Sequence, residues 1–351
     1  MGVFKDMLGS GQTLFKNPNA LEYDFIPKLI PFREGEQREI VSAIMPLMQQ
    51  RNGRNLFIHG TPGIGKTLAV RAVMREVEDE TEEVIPLYVN CWNKNTTYKI
   101  LTHLVEELGY PFTQNKRTEE LFKILKERVN NASAVFVFDE IDKAEELDVL
   151  YLILEEIFRS SIIMITNHEE WIVHLDMRIK SRLMPDHLSF EPYSLEELRT
   201  ILRERAEAAF YDGVIAPEQV GIIAQKTFSA KDVRTGLFLL REAGTYAESE
   251  SKKAVEAEHV ARAVAKIDEF KIKNVDDLDP DLQSVLSLIR EHDGERIGSL
   301  FERYSKAADI SYKTFQRRVG KLEKGRYISV DHVEGGEGGR TSILHYNANR
   351  T

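Results

Sequence analysis

The sequence has 351 residues, enough for two or three domains. Apolar residues make up 42% and charged residues 30%, so the chain can bury sizeable cores, while the net charge of −10 excludes a uniformly basic nucleic-acid-binding protein and leaves only a local basic patch for such a partner. The single cysteine, Cys91, excludes an internal disulfide, and no apolar run approaches the roughly 20 residues of a membrane span, so we expect a cytoplasmic protein without a membrane partner.

The first half of the chain alternates short apolar runs with helical patterns. A polar, flexible arm is expected over 1–22, followed by the proline-marked stretch YDFIPKLIPFRE and a helix from about Glu36 to Gln50. The apolar runs are NLFIHG, VIPLYVN, AVFVFD, SIIMITN and HLSFEP. Strands that are apolar throughout and separated by helices are typical of a parallel sheet covered on both faces. We therefore predict an α/β base domain over 23–192.

The second half of the chain has a different pattern. Residues 193–273 form four purely helical segments, which predicts an all-α domain beside the sheet. The acidic, proline-containing stretch NVDDLDP over 274–280 is predicted to be a linker. Over 281–351, three short helical patterns precede two strands around a glycine-rich turn, which predicts a small separate domain.

A phosphate-binding loop is predicted between the first strand and its helix. The stretch GTPGIGKT matches G-x-x-x-x-G-K-[ST] at Gly60, Gly65, Lys66 and Thr67, in the strand–loop–helix context that the motif requires. Glycines let backbone N–H groups turn inward towards phosphate oxygens, and the helix N-terminus adds partial positive charge. The predicted nucleotide contacts here are Pro62, Gly63, Ile64, Gly65, Lys66, Thr67 and Leu68.

An acidic pair follows a buried strand about 75 residues further on. In VFVFDEID, four apolar residues deliver Asp139 and Glu140 to the end of a strand. We expect Thr67 and Asp139 to hold Mg²⁺, Asp139 acting through water, and Glu140 to orient and polarise an attacking water. The alternative is a solvated pair of carboxylates at a strand end.

Two further side chains are candidates for the chemistry of the γ-phosphate. Asn167 ends the strand in SIIMITN and could hydrogen-bond the phosphate or the attacking water; alternatively, it caps a turn. In LDMRIKSRL, Arg182 or Arg178 could project into a neighbouring subunit's nucleotide, or form an ordinary surface ion pair.

The helical segments supply candidates for the rest of a nucleotide site. Arg234, at the start of a helix in KDVRTGLFLL, is a second candidate γ-phosphate sensor. Tyr193, Ile201 and Arg205 could enclose the adenine and ribose, or simply pack the hinge between the two domains.

The C-terminal segment carries the local basic patch. From Ser311 to the end, eight basic residues face four acidic ones. A basic helix can lie in the major groove of DNA and a glycine-rich hairpin tip can enter the minor groove. The candidate DNA contacts are Lys313, Arg317, Arg318, Lys321, Gly339 and Arg340. The alternative is a solvated basic helix and a flexible hairpin.

With these motifs in hand, the chain resembles the archaeal replication-initiator family, which is similar to eukaryotic origin-recognition and cell-division-cycle initiators. The resemblance covers about residues 20 to 347. It depends on IPKLIPFREGE, HGTPGIGKT, VNCWNKNTTYKIL, VFVFDEID, LDMRIKSRL, FEPYSLEELRTILRERAEAAF, RRVGKLEKGRYI and GEGGRT. It implies an AAA+ P-loop core, an all-α lid and a C-terminal winged helix.

The resemblance also implies a function. Such a protein binds ATP or ADP with Mg²⁺, recognises double-stranded origin DNA, and hydrolyses ATP slowly as a switch for helicase recruitment, together with other initiator copies in the nucleoid. It implies an initiator-specific insertion over about 93–118, with Lys116 and Arg117 as DNA contacts. By position, Ile26, Pro27 and Ile30 would line the adenine pocket.

The sequence departs from the family pattern at several points. Met177 stands where the family usually has proline, so the start of the arginine helix needs another explanation. Lys231 stands where glycine usually precedes Asp232, so the start of the Arg234 helix does too. The insertion also lacks the usual glycine near FTQNKRT.

Two other functions fit the same motifs. One is a DNA-translocating motor of the branch-migration type, which also joins AAA+ to a winged helix but needs fast, DNA-stimulated turnover. The other is a signalling or defence ATPase whose C-terminal domain binds protein, for which no salt-dependent duplex binding is expected.

Overall fold

A computed structural model of the protein describes residues 13–27, 29–276, 278–306, 308, 310–324, 327–333 and 341–346. The chain divides into two compact units, one ending at Val260 and the other beginning at Ala261. The domain boundaries at 192, 273 and 280 stay predictions. Within the described ranges, no helix is both long enough and apolar enough to cross a membrane.

A five-stranded parallel sheet forms the centre of the first unit and confirms the predicted α/β fold. Its strands are β1 (Leu56–His59), β2 (Val84–Asn90), β3 (Ser133–Asp139), β4 (Ser160–Ile165) and β5 (Asp186–Ser189). Their order is β2–β3–β4–β1–β5, and every pairing is parallel. Pro86 lies in β2, an edge strand, where its missing N–H donor is tolerated.

Helices cover both faces of the sheet. They are α1 (Glu34–Met48), α2 (Lys66–Glu80), α3 (Thr97–Glu107), α4 (Thr118–Val129), α5 (Asp148–Glu156) and α6 (Met177–Leu183). Successive side chains of β3 point to opposite faces: Val135 and Val137 join the core under α1 and α2, whereas Phe136 and Phe138 join the core under α3 to α6. Both faces are therefore buried, as the apolar runs predicted.

The strand register brings the site to one edge of the sheet. Asn90 pairs with Asp139, and Asp139 pairs with Ile165, so β2, β3 and β4 end side by side. Because parallel strands share the direction of their carboxyl ends, the polar residues that follow them meet there. The loop between β1 and α2 lies at the same edge, since β1 pairs with β4.

The all-α lid follows the sheet. Its helices are α7 (Leu195–Ala209), α8 (Pro217–Ala230) and α9 (Val233–Ser249), and α10 (Ala257–Asp276) begins in the first unit and continues into the second. Ser194 caps α7: its hydroxyl accepts from the Glu197 N–H, and the Glu197 carboxylate accepts from the Ser194 N–H at 2.7 Å. Leu202 and Leu240 are fully buried in its core.

From Thr13 onward, the N-terminal arm is packed rather than flexible. The Lys16 N–H donates to the Ala209 carbonyl at 2.8 Å, and the Phe15 and Phe210 ring centroids lie 4.8 Å apart. Leu21 is completely buried. The polar composition of the arm hid these few apolar side chains, which hold it against the lid.

The second unit contains most of α10 and, after it, a winged helix. Its elements are α11 (Pro280–Glu291), α12 (Ile297–Tyr304), α13 (Tyr312–Lys324), β6 (Ile328–Val333) and β7 (Thr341–Tyr346). The two strands are antiparallel, and Arg296 forms an isolated bridge with Ile343. Phe315, Val319 and Leu322 of α13, spaced four and three residues apart, are all buried and face the core of the winged helix.

Candidate functional site

The loop between β1 and α2 has a backbone that requires glycine. Gly60, Gly63 and Gly65 have φ values of 144°, 72° and 93°, in the region that L side chains rarely adopt. A Cβ atom at Gly60 would collide with the Phe190 carbonyl, and one at Gly63 would collide with the Asp232 carboxylate. The loop is therefore closely enclosed by the hinge and the lid.

Lys66 is buried at the centre of the loop. Its Nζ donates to the Gly60 carbonyl at 2.7 Å, the Thr61 carbonyl at 2.9 Å and the Asn167 Oδ1 at 2.7 Å. These bonds use all three donors of the ammonium group. Burial lowers the pKa of Lys66 to about 8, although the Glu140 and Asp139 carboxylates act in the opposite direction.

Asp139 is buried at the end of β3, with both carboxylate oxygens hydrogen-bonded. Its Oδ2 accepts from the Thr67 hydroxyl at 2.9 Å and from the Tyr88 hydroxyl at 2.6 Å. Its Oδ1 accepts from the Glu140 N–H at 3.0 Å. Burial and then the Asp139 charge raise the pKa of Tyr88, which keeps its phenol a donor.

Glu140 and Asn167 form the next step of the same network. The Asn167 amide donates to the two Glu140 carboxylate oxygens at 3.2 and 3.0 Å, while its Oδ1 accepts from Lys66. Glu140 has a φ of 52°, an unusual value for a residue other than glycine. Lys66, Asn167 and Glu140 are thus one continuous chain of hydrogen bonds.

The lid contributes the N-terminus of α9. The Val233 N–H donates to the Gly63 carbonyl at 3.1 Å, so the lid is bonded directly to the loop. Asp232 caps α9 and pairs with Arg234 at 2.9 Å, and this hydrogen-bonded carboxylate raises the pKa of Arg234. Lys231 ends α8 in the left-handed conformation, with φ of 55°, and the Asp232 cap then starts α9 although the usual glycine is missing.

Arg33 is a residue that the sequence analysis missed. It is buried and donates to the Ile64 carbonyl at 3.1 Å, the Glu191 carbonyl at 2.6 Å and the Tyr193 hydroxyl at 3.0 Å. Its guanidinium carbon also lies 4.0 Å from the Tyr193 ring centroid. Arg33 therefore joins the phosphate loop to the hinge before the lid.

Residues 20–27, which precede α1, form a strap between the lid and the base domain. Arg205 of α7 is buried and donates to the Ala20 carbonyl at 3.1 Å and the Phe25 carbonyl at 3.3 Å. Burial lowers the pKa of Arg205. Arg205 thereby fixes the segment that carries Ile26 and Pro27.

A cavity of about 470 Å³ lies between the loop, the strap and the lid. The predicted residues that line it are Ile26, Pro27, Ile30, Pro62, Gly63, Gly65, Lys66, Thr67, Leu68, Asp139, Glu140, Asn167, Tyr193, Ile201, Arg205 and Arg234. Ile64 is instead buried in the sheet core. Arg71, Tyr88 and Asn90 also line the cavity and were missed, because nothing in their local sequence marks them.

The two arginines of α6 do not line this cavity. Arg182 forms an ion pair with Glu155 and lies 5.3 Å from the Tyr151 ring centroid. Arg178 is exposed and pairs with Asp176 at 3.1 Å. Asp176 caps α6 by accepting from the Arg178 N–H at 2.8 Å, which starts the helix without the usual proline.

The candidate residues of the insertion lie before α4. The Lys116 Nζ is 5.8 Å from the Tyr110 ring centroid. Arg117 is the N-cap residue of α4, and its N–H donates to Glu120 at 2.8 Å.

The basic residues of α13 fall into two groups. Lys313, Arg317 and Lys321 are exposed and spaced four residues apart, so they form one stripe on the helix. Arg318 is largely buried, donates to the Tyr304 hydroxyl at 3.0 Å and pairs with Asp281. Gly339 and Arg340 lie outside the described residues.

Comparisons with known proteins agree with this geometry. An AAA domain matches residues 49–169, and a Cdc6 AAA+ ATPase-type lid domain matches residues 199–265. The chain is 31% identical to ORC1-type DNA replication protein 2 of Methanothermobacter thermautotrophicus, over 97% of this chain and 94% of the relative. It is 34% identical to ORC1-type DNA replication protein 1 of Sulfurisphaera tokodaii, over 76% of this chain and 70% of the relative.

A solved structure covers both units. The structure of the Aeropyrum pernix ORC1 protein in complex with DNA is 28% identical, with a TM-score of 0.73, over 97% of this chain and 96% of that chain. With the AAA and Cdc6-type lid matches, these relatives confirm the resemblance drawn from the motifs: the chain belongs to the ORC1-type DNA replication protein family of AAA+ ATPases.

Proposed function

We propose that this protein is an ATP-switched replication initiator. It binds double-stranded origin DNA, and slow, Mg²⁺-dependent ATP hydrolysis changes how it holds that DNA and recruits the replicative helicase. Membership of the ORC1-type family supports the replication role. The observation that carries the switch is the hydrogen-bonded chain of Lys66, Asn167 and Glu140 inside a cavity that the lid closes.

The cavity suits a nucleoside triphosphate. The positive φ values of Gly60, Gly63 and Gly65 let the backbone turn its N–H groups towards phosphate oxygens, and Lys66 would supply a cation for the β- and γ-phosphates. At the other end, Ile26, Pro27 and Ile201 give an apolar lining of the kind that a purine ring needs. Arg234 lines the same cavity from the lid and would add a second cation for the phosphates.

Thr67 and Asp139 would hold Mg²⁺. A hydroxyl and a carboxylate are the hard oxygen donors that this ion prefers, and here they lie 2.9 Å apart at the cavity wall. When bound, the ion neutralises phosphate charge. Glu140 then orients and polarises the attacking water, and Asn167 fixes the Glu140 carboxylate through its amide.

The second unit would supply the grip on DNA. The exposed stripe of Lys313, Arg317 and Lys321 puts three cations on one side of a helix, where they would contact phosphates if the helix lies in a major groove. The Aeropyrum pernix relative was solved in complex with DNA. Lys116 and Arg117 would add a contact from the insertion, and Gly339 with Arg340 would add one from the wing. Arg318 would act mainly within its own unit.

Other copies of the protein would complete the assembly. Arg182 would act on the nucleotide of a neighbouring copy, for which it must leave Glu155. This contact would make hydrolysis depend on protein concentration.

Footprinting with steady-state ATPase measurements tests the proposal. We expect protection of intergenic duplexes that differs between ATP and ADP, with turnover that stays slow when duplex is added. Fast turnover stimulated by any duplex would favour a translocating motor. Absence of salt-dependent duplex binding would favour a protein-binding ATPase.

A further inference from the structure

Tyr88 makes the shortest hydrogen bond to the Asp139 carboxylate. Its hydroxyl donates to Oδ2 at 2.6 Å, the same oxygen that accepts from Thr67 at 2.9 Å. The Glu140 N–H donates to the other oxygen, Oδ1, at 3.0 Å. Three donors therefore hold both oxygens of one carboxylate.

The backbone explains why Tyr88 can reach Asp139. Residues two apart in a strand point to the same face, so Tyr88 and Asn90 project together from β2. Asn90 is the register partner of Asp139 on the neighbouring strand. A long side chain two residues earlier can therefore extend to the Asp139 carboxylate.

Arg71 of α2 contacts the ring of Tyr88. It lies one helical turn after Thr67 on α2, so the two side chains share a face. Its guanidinium carbon is 4.9 Å from the Tyr88 ring centroid, within the range of a cation–π contact. Thr67 and Arg71 of α2 thus face Tyr88 of β2 across Asp139.

The chemistry of this arrangement favours a fixed carboxylate. Thr67 and the Glu140 N–H each hold one oxygen of Asp139, and Tyr88 adds the shortest of the three bonds, so its hydroxyl further restricts rotation of the carboxylate. Partners that orient a ligand without touching the ion commonly change metal affinity by about 10- to 100-fold. A phenol is suited to this task because its single donor leaves the carboxylate charged.

We propose that Tyr88 is a positioning residue for the divalent cation, and that Arg71 keeps its ring in place. Tyr88 acts through Asp139, and the role rests on the Mg²⁺ site of the proposed function. Tyr88 would thereby set the Mg²⁺ concentration at which the protein binds ATP together with the ion.

Tyr88→Phe tests the proposal because it removes only the hydroxyl. Binding of a fluorescent ATP analogue is measured against Mg²⁺ concentration, and again in excess chelator. We expect the Mg²⁺ concentration for half-saturation to rise about tenfold, with the affinity for the analogue in excess chelator unchanged. When Mn²⁺ replaces Mg²⁺, the electron paramagnetic resonance spectrum of the bound ion should be broader in Tyr88→Phe than in wild type, because the Asp139 carboxylate is less fixed.

Tyr98→Phe is the matched control, because Tyr98 is exposed on α3 and lies outside the cavity lining. It should leave the Mg²⁺ titration unchanged. Arg71→Gln provides a second variant and should shift the titration in the same direction as Tyr88→Phe, by less.

The outcomes separate the inference from the function beneath it. An unchanged Mg²⁺ titration and Mn²⁺ spectrum in Tyr88→Phe, with the wild-type protein Mg²⁺-dependent, would overturn the positioning role alone. A wild-type protein whose ATP binding ignores Mg²⁺ would overturn the metal site itself. Equal loss of affinity with and without Mg²⁺ would show that Tyr88 shapes the nucleotide pocket, which also contradicts the proposal.

Discussion

The cavity of the first unit and the basic stripe of the second unit use charge in opposite ways. In the cavity, Lys66, Asp139 and Glu140 are each bonded to named partners and two of them are buried. On α13, Lys313 and Arg317 are exposed. The cavity is a preorganised network, whereas the stripe is a set of separate cations.

This difference predicts two kinds of response to mutation. A buried network fails as a unit, because removing one partner leaves others unsatisfied. Exposed cations contribute separately to a DNA contact, each through counterion release, and are weakened by salt. The four predictions below test this contrast, from the largest expected effect to the smallest.

Glu140→Gln should give the largest effect. It keeps the size of the side chain and can still bond to Asn167, but it loses the charge that polarises water. We expect turnover to fall by about 10²- to 10⁴-fold, with ATP affinity within error of wild type. Single-turnover hydrolysis checks this, and unchanged turnover would mean that another group orients the water.

Lys66→Ala should abolish most nucleotide binding. It removes the loop's cation and leaves the acceptors of Gly60 and Asn167 unpaired. We expect affinity for ATP to fall on the order of 100-fold, while duplex binding measured without nucleotide is nearly unchanged. Calorimetry with ATP and a duplex titration check the two halves; equal loss of both would contradict separate sites.

Arg317→Ala should weaken DNA binding in proportion to one contact. If Arg317 contacts a base, we expect the binding free energy to weaken by about 1–3 kcal/mol. If it contacts phosphate, we expect a smaller loss that is the same for all sequences, and the slope of log affinity against log salt should become shallower by about 0.9. Lys253→Ala, an exposed lysine outside the second unit, is the matched control for charge. An unchanged dissociation constant and slope would remove Arg317 from the interface.

Arg318→Ala should behave differently from its neighbour. Arg318 bonds to Tyr304 and pairs with a half-exposed Asp281 within its own unit. We expect a loss of about 1 kcal/mol in the free energy of unfolding, and a smaller change of the salt slope than Arg317→Ala gives. Chemical denaturation checks this; a slope change equal to that of Arg317→Ala would place Arg318 on the DNA.

Features set by local sequence were the easiest to predict. The strand VIPLYVN matches β2 from Val84 to Asn90, and the helix after the loop begins at Lys66 as expected. The positive φ values of the loop favour glycine, so the spacing of the glycines already indicates where the backbone takes them. These features depend on a few neighbouring residues, so the chain alone specifies them.

Features set by distant pairing were missed. Arg33 meets Ile64 and Tyr193 only after the sheet, hinge and first helix have assembled. Tyr88 follows four apolar residues in β2, and nothing beside it in the sequence indicates that its hydroxyl bonds to Asp139. An ion pair was one of the two interpretations open for Arg182, but its partner Glu155 lies on another helix, and no spacing along the chain identifies it.

The measurement that tests the central claim most directly compares DNA affinity in two nucleotide states. Wild type and Lys66→Ala are titrated with an origin duplex in ADP and in a non-hydrolysable ATP analogue with Mg²⁺, at concentrations that saturate wild type and leave Lys66→Ala largely without nucleotide. If the cavity controls the DNA contact, the two dissociation constants should differ by about fivefold or more in wild type and coincide in Lys66→Ala. Identical constants and identical footprints in wild type would contradict nucleotide control of DNA binding.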